Sequence, residues 1–145
     1  MNKTKNDIST HIDSLPDEFR QSVRQLDKVI SEMMAGYSRV LWEGTLWGGT
    51  SQEIIGYGDY TINLSRGKKS EWFMVGLAVQ KNYISIYVNA FEDQWYVAEK
   101  YRSQLGKVKI GKSSISFKQL DDLNMETLKK VLSIARDSMP KQPSA

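Results

Sequence analysis

The sequence predicts an α+β fold in which an antiparallel sheet of about five to six strands is covered by an N-terminal and a C-terminal helix. Apolar residues recur at helical spacing near both ends of the chain. Between them lie short segments rich in β-branched and aromatic residues, separated by turns that contain glycine. A length of 145 residues fits one domain that can bury a hydrophobic core large enough to fold without disulfides or metals.

The first long helix is predicted over residues 16–35, after a short helical lead-in at 7–15. Pro16 is tolerated in the first turn of a helix, and Asp17 and Glu18 suit the positive end of the helix dipole. Gly36 is a plausible C-terminal stop. The apolar positions fall on one face of this helix, and they are Phe19, Val23, Leu26, Ile30 and Met33.

The middle of the chain predicts an antiparallel meander of five strands. Its segments read SRVLWE, EIIGY, DYTINLS, WFMVGLAV and YISIYV, and the turns between them include GYGD, SRGKK and QKN. This composition and spacing are typical of hairpin-connected strands. Gly56 and Gly58, on either side of Tyr57, are expected to allow a tight turn or a bulge.

After Asn89 the apolar spacing becomes helical again and predicts a helix through about residue 104, ended by Gly106. Its expected face contains Phe91, Trp95, Ala98, Tyr101 or Arg102, and Leu105. A final strand is predicted at ISFK, residues 115–118. Asn124 is a suitable cap for the last helix, whose apolar stripe is Met125, Leu128, Val131, Leu132 and Ala135.

These elements predict a single domain over residues 11–138, with flexible ends at 1–10 and 139–145. Cysteine is absent, which excludes disulfides, thiolate chemistry and Cys-based zinc sites. The N-terminal stretch lacks the apolar run of a secretory signal, and no run approaches the roughly 18 apolar residues that span a bilayer. We therefore expect a cytoplasmic protein without a membrane partner.

Residues 106–113 read GKVKIGKS and satisfy the letters of the nucleotide-binding P-loop. A P-loop follows a strand and opens a helix, because backbone N–H groups and the helix N-terminus together hold the phosphates. Here the predicted order is reversed, since a helix ends at Gly106 and the strand-like SISFK follows Ser113. We interpret the match as accidental and expect no nucleotide hydrolysis.

The same stretch is the centre of the most basic part of the chain. Net charge is +3 overall, whereas residues 100–118 contain six basic residues and no acidic one, so the remainder carries +3 − 6 = −3. Lysines with serines and free backbone N–H groups can hold a phosphate or carboxylate. The predicted anion site consists of Lys107, Lys109, Gly111, Lys112 and Ser113. The alternative is a solvated connection whose lysines keep a sheet edge soluble.

Aromatic residues gather around the glycine-containing turns, among them Trp42, Trp47, Tyr57, Tyr60 and Trp72. They can line a ligand pocket, and Tyr57 and Trp72 are predicted to contribute to the anion site. They can also stack on nucleic-acid bases, although a nucleic-acid partner is not the favoured prediction. The simplest alternative is that they form the core and cover the sheet.

Residues 105–135, LGKVKIGKSSISFKQLDDLNMETLKKVLSIA, resemble the C-terminal signature of the YdhG-like bacterial domain family, a domain of unknown function. GYGDY, GKKSEW, LAVQKNYISIYV and the first helix also resemble this family, so the likeness covers roughly residues 11–135. The resemblance implies a frataxin-like α-β-α sandwich. Many members carry His, Thr and Cys where this chain has Val108, Ile110 and Ser114. This chain therefore lacks the imidazole and the thiol, which are the two best soft metal ligands of that loop.

The resemblance also implies an alternative function, because one branch of the family is described as frataxin-like iron chaperones. Iron favours carboxylate oxygens, and Asp17 and Glu18 are the residues of the first helix that this alternative would use. Basic side chains share faces of the first helix with these acidic ones, and such a mixture is typical of a solvated surface that forms ion pairs. His11 is the one histidine, and no pair of carboxylates has a spacing that predicts acid–base catalysis.

The functional prediction is therefore a non-enzymatic binding module for a small or protein-borne anionic group, without a cofactor. Iron chaperoning and nucleic-acid binding are the alternatives. The sequence does not predict an oligomeric state.

Overall fold

A computed structural model describes residues 1–45 and 49–140 of the chain. Within these residues the helices are α1 (Ile8–Asp13), α2 (Asp17–Met33), α3 (Val97–Lys100) and α4 (Met125–Asp137). The strands are β1 (Asn2–Lys3), β2 (Arg39–Thr45), β3 (Ser51–Asn63), β4 (Lys69–Gln80), β5 (Tyr83–Val88), β6 (Phe91–Glu92), β7 (Trp95–Tyr96), β8 (Lys109–Gly111) and β9 (Ser114–Phe117). Trp47 and residues 141–145, part of the predicted tail, lie outside the described residues.

The main sheet is antiparallel and, over the described residues, has seven strands in the order β1-β2-β3-β4-β5-β9-β8. The prediction of a mixed α+β fold with a large antiparallel sheet is confirmed. The strand boundaries differ from those predicted. EIIGY and DYTINLS belong to one long strand, because the pairing of β3 with β4 runs from Ile55 to Asn63. The short strands β1 and β8 extend the two edges.

The helices pack on one face of this sheet. Buried residues of α2 and α4 join the same apolar cluster as every second residue of the central strands, such as Leu77 in β4 and Ile84 and Ile86 in β5. A second cluster on the opposite face, called the far face below, is formed by Trp42, Ile54, Phe73, Ala78 and Tyr87. The sheet therefore has an apolar layer on each side.

Both long helices confirm the predicted elements. In α2 the residues Phe19, Val23, Leu26 and Ile30 are buried, as the apolar spacing predicted. In α4 the side chain of Asn124 accepts a hydrogen bond from the backbone N–H of Thr127 at 3.0 Å, which makes it the predicted N-terminal cap.

The helix predicted over residues 90–104 is wrong for most of its length. Only Val97–Lys100 is α-helical, and it follows the hairpin formed by β6 and β7. The turn of this hairpin places Asp93 and Gln94 in the left-handed region, with φ of 54° and 72°. Lys100 forms ion pairs with both Glu92 and Asp93, which holds the turn against the following helix. The apolar spacing is therefore not helical packing here, since the chain reverses at Asp93 and Gln94.

The N-terminal residues, predicted to be flexible, contain regular structure. β1 pairs with β2, placing Asn2 opposite Glu43 and Lys3 opposite Trp42. Ile8 in α1 is buried. Asp7 caps this helix, since its side chain accepts from the backbone N–H of Thr10 at 2.9 Å.

Glycines on the far face make room for aromatic rings. Gly56 and Gly76 lie opposite each other in the β3–β4 pair. A Cβ atom on Gly56 would lie 2.4 Å from Nε1 of Trp42, and one on Gly76 would lie 3.0 Å from the Phe73 ring. The turn or bulge predicted at Gly56 is thus wrong, because this residue is inside β3 and its missing side chain accommodates Trp42.

Candidate ligand site

The predicted basic segment forms the β8–β9 hairpin at one edge of the sheet. Lys109 pairs with Ser116, Ile110 with Ile115 and Gly111 with Ser114. Ile115 is fully buried on the helix side, and strand alternation therefore turns Ser114 and Ser116 to the far face with Lys109. The hairpin thus separates the charged and hydroxyl-bearing residues from the apolar ones.

A depression of about 390 Å³ lies on the far face beside this hairpin. We call it the Tyr83 pocket, and it is lined by Tyr83, Lys109, Gly111, Ser114, Ser116, Phe117 and Lys118. Among these described residues the charged ones are Lys109 and Lys118, and both are cationic. Two serines supply hydroxyl groups, and the Tyr83 ring supplies apolar surface.

The floor of the Tyr83 pocket is held by a network of buried hydrogen bonds. The hydroxyl groups of Ser116 and Ser85 are 2.9 Å apart, and Ser85 is 1% exposed. Ser85 also donates to the side-chain oxygen of Gln80 at 3.0 Å. The amide nitrogen of Gln80 donates to the hydroxyl oxygen of Tyr87 at 2.6 Å. Because the Ser85 proton goes to Gln80, the Ser116 hydroxyl donates to Ser85 in this network.

The other predicted residues of the basic segment lie outside the lining of this pocket. Lys107 lines a separate groove with Asp121 and Asp122, and its backbone N–H donates to the Asp122 carbonyl at 2.8 Å. Lys112 and Ser113 form the β8–β9 turn, where Lys112 has a φ of 52° and the Ser113 carbonyl accepts from the N–H of Val88. β9 follows this turn, so the segment lacks the helix N-terminus that a P-loop requires.

Tyr57 and Trp72 are also placed away from the Tyr83 pocket. Tyr57 is 1% exposed in the helix-side core, where its hydroxyl group donates to Asp27 at 2.6 Å. Burial, together with the Asp27 carboxylate, raises the pKa of Tyr57 well above its usual value. Trp72 is on the far face, where it packs edge-to-face on Phe73 at a centroid distance of 4.7 Å. Tyr57 is therefore a core residue, and Trp72 covers the far face of the sheet.

A second depression, of about 310 Å³, shares the lining residue Tyr83 with the first. We call it the His11 pocket, and its polar lining includes His11, Gln52, Glu53, Gln80 and Lys81. Nδ1 of His11 lies 3.2 Å from Oε2 of Glu53, and the imidazole side chain is 8% exposed against 52% for Glu53. The direction of this contact is unsuitable for a hydrogen bond, and Nδ1 has no partner among the described residues.

The carboxylates of the iron alternative lie at the start of α2. Asp17 is 92% exposed and pairs with Arg20 at 2.7 Å. Glu18 lines a groove with Asn82 and Lys118. Across residues 1–45 and 49–140, no group of three or more His, Asp or Glu side chains is arranged to hold a metal ion.

Sequence reasoning did not assign four of the residues that line the Tyr83 pocket, namely Tyr83, Ser116, Phe117 and Lys118. Ser116 becomes a neighbour of Lys109 through the pairing of β8 with β9, and Tyr83 joins them through the pairing of β5 with β9. Lys118 belongs to the basic segment but was not placed in the site. The alternation of ISFK carried a usable signal, because it turns Ser116 and Lys118 away from the side chain of Phe117.

Comparison of the chain with protein-family models, curated proteins and solved structures found no match. The YdhG-like resemblance and the frataxin-like arrangement thus stay predictions. None of the helices in the described part of the chain is long and apolar enough to cross a membrane.

Proposed function

We propose that the protein is a non-enzymatic binding module for a small anionic ligand, which occupies the Tyr83 pocket. The observation that carries this proposal is the convergence of Lys109 and Lys118 on a depression that also contains the Ser114 and Ser116 hydroxyl groups. The ammonium groups are the donors available to the oxygen atoms of a phosphate or carboxylate, because the Ser114 hydroxyl donates to the Gly111 carbonyl and the Ser116 hydroxyl donates to Ser85.

The apolar part of the lining narrows the ligand class. The Tyr83 ring belongs to the same pocket as the two lysines, whereas the Phe117 side chain packs in the helix-side core. Small-molecule sites usually combine apolar walls with a few oriented polar groups. The ligand proposed is therefore an organic anion, with a ring or short hydrocarbon part that contacts Tyr83, rather than a bare inorganic ion.

Calorimetric titration with phenyl phosphate and with inorganic phosphate tests this proposal. We expect phenyl phosphate to bind more tightly, and Lys109→Gln to weaken it about tenfold, since a charged hydrogen bond contributes on the order of 1.5–3 kcal/mol. Lys112→Gln is the matched control, because that lysine lies in the turn of the same hairpin. It should change the affinity less than about twofold at constant salt.

Two results would contradict the proposal. One is no measurable binding of either phosphate to the wild-type protein. The other is an equal loss of affinity in both lysine variants, which would indicate attraction by the general positive charge of the hairpin rather than a defined pocket. Ferrous iron and short single-stranded DNA serve as probes of the two alternative functions in the same titration.

A further inference from the structure

The two serines that line the proposed site offer a ligand lone pairs rather than protons. The Ser114 hydroxyl donates to the Gly111 carbonyl at 2.9 Å, across the turn of the β8–β9 hairpin. The Ser116 hydroxyl donates to Ser85, because the single hydroxyl proton of Ser85 goes to Gln80. Each of these serine oxygens has therefore used its proton inside the protein and can still accept a hydrogen bond.

Of the two serine oxygens, that of Ser116 is the harder to convert into a donor. If its proton turned to a ligand, the oxygen atoms of Ser116 and Ser85 would lie 2.9 Å apart with no proton between them, or Ser85 would have to release Gln80. Either change costs free energy, because Ser85 is buried. Ser114 is freer, since its hydrogen bond lies at an exposed turn.

Ser116 also lies among the charged groups of the site. It is directly opposite Lys109 in the β8–β9 pair, and Lys118 comes two residues after it in the chain. An anionic group held by the two lysines therefore lies beside an oxygen atom that does not donate to it. A hydroxyl group on the same ligand can donate to that oxygen, whereas a plain hydrocarbon chain leaves it to water.

From this arrangement we propose that the anion bound in the Tyr83 pocket carries a hydroxyl group near its charged end, as polyol and sugar phosphates do. The charged end accepts hydrogen bonds from Lys109 and Lys118, the hydroxyl group donates to Ser116, and the carbon chain lies on the Tyr83 ring. This inference rests on the proposed function and specifies the ligand class of the same site.

Phosphate monoesters with a three-carbon chain test the inference by calorimetric titration. Propyl phosphate has no hydroxyl group on its chain, whereas 2-hydroxypropyl phosphate and 3-hydroxypropyl phosphate carry one at different distances from the phosphate. We expect at least one hydroxylated ester to bind the wild-type protein at least about threefold more tightly than propyl phosphate, because it adds a neutral hydrogen bond.

Replacing Ser116 by alanine locates the acceptor. Ser116→Ala should remove the preference for the hydroxylated ester and leave the affinity for propyl phosphate within about twofold, since Ser116 gives no proton to the phosphate. Ser114→Ala is the matched control in the same pocket and should keep the preference. Lys109→Gln should weaken all of the esters. Thermal unfolding checks that each variant is folded.

Replacing the buried Ser85 by alanine gives an independent test outside the pocket lining. Without the Ser85 oxygen to accept its proton, Ser116 becomes free to donate to the phosphate. We expect Ser85→Ala to bind propyl phosphate at least about threefold more tightly than the wild type does, and to show a smaller hydroxyl preference. Weaker binding of both kinds of ester by a folded Ser85→Ala variant would contradict this arrangement of protons.

The outcomes separate this inference from the proposed function. Binding of propyl phosphate with no preference for either hydroxylated ester would overturn the hydroxyl inference alone. So would a preference that persists in Ser116→Ala, or a loss of propyl phosphate affinity in that variant, which would indicate that Ser116 donates to the phosphate. Failure of every ester to bind would overturn the proposed function and the inference together.

Discussion

Lys109 in β8 lies directly opposite Ser116 in β9, and both residues line the same depression on the far face of the sheet. Ser116 is in turn hydrogen-bonded to the buried Ser85 of β5. A charged residue at the sheet edge thereby lies opposite a residue that is hydrogen-bonded to the sheet interior. This relationship distinguishes Lys109 from Lys112, which lies only three residues away in the β8–β9 turn.

Replacing Gly56 by alanine tests the packing of the far face. The new Cβ would lie 2.4 Å from Nε1 of Trp42 and 3.0 Å from Cβ of Phe73, so the aromatic layer must shift. We expect the free energy of unfolding, measured by urea denaturation, to fall by about 1–3 kcal/mol. Gly111→Ala is the control, because the Cβ added at this position would meet only the hydroxyl end of the Ser114 side chain. Equal losses in the two variants would contradict the packing described.

Replacing Tyr57 by phenylalanine tests the buried link between β3 and α2. The substitution removes the hydrogen bond to Asp27, while Arg39 keeps its ion pair with that carboxylate. We expect the free energy of unfolding to fall by about 1–2 kcal/mol. In the control Tyr37→Phe the ring is 37% exposed, and the change should stay within about 0.5 kcal/mol. A Tyr57→Phe variant as stable as the wild type would contradict the assignment of this contact.

Asp59 should contribute a pH-dependent part of the stability. Partial desolvation raises the pKa of this carboxyl group, but hydrogen bonds from Lys3 and Ser38 outweigh it and hold the pKa below its usual value. Because the folded-state pKa is depressed, the contribution is present above the unfolded-state pKa of about 4 and is lost as the pH falls below it.

Urea denaturation of the wild type and of Asp59→Asn between pH 6 and pH 2 measures this contribution. We expect the difference in unfolding free energy between them to shrink as the pH falls through this range. Lys3→Gln should reduce the same pH dependence, since Lys3 is a principal donor to Asp59. A difference that does not vary with pH would contradict the role of this ion pair.

Local patterns predicted the long helices well. The spacing of Phe19, Val23, Leu26 and Ile30 determines the buried face of α2, and Asn124 marks the start of α4 through its own side-chain hydrogen bond. The same reasoning failed at residues 91–96. There, the chain turns back through the left-handed Asp93 and Gln94, and Lys100 pairs with two residues that lie seven and eight positions earlier. Apolar periodicity does not reveal such a turn.

The candidate site was predicted only in part. Charge density pointed to Lys109 and Gly111, and both line the Tyr83 pocket. Tyr83 joins them through long-range strand pairing, which the sequence does not specify locally. Tyr57 was wrongly expected near the anion site. An aromatic residue between glycines has the same sequence pattern whether it is exposed in a turn or buried in a strand.

An amide chemical-shift titration of the ¹⁵N-labelled protein with phenyl phosphate tests the central claim most directly. We expect saturable shifts centred on Tyr83, Lys109, Ser114, Ser116 and Lys118, and the same residues should lose their response in Lys109→Gln. Shifts centred instead on Lys107 and Lys112, or no saturable shift around the Tyr83 pocket, would contradict the assignment of this depression as the anion site.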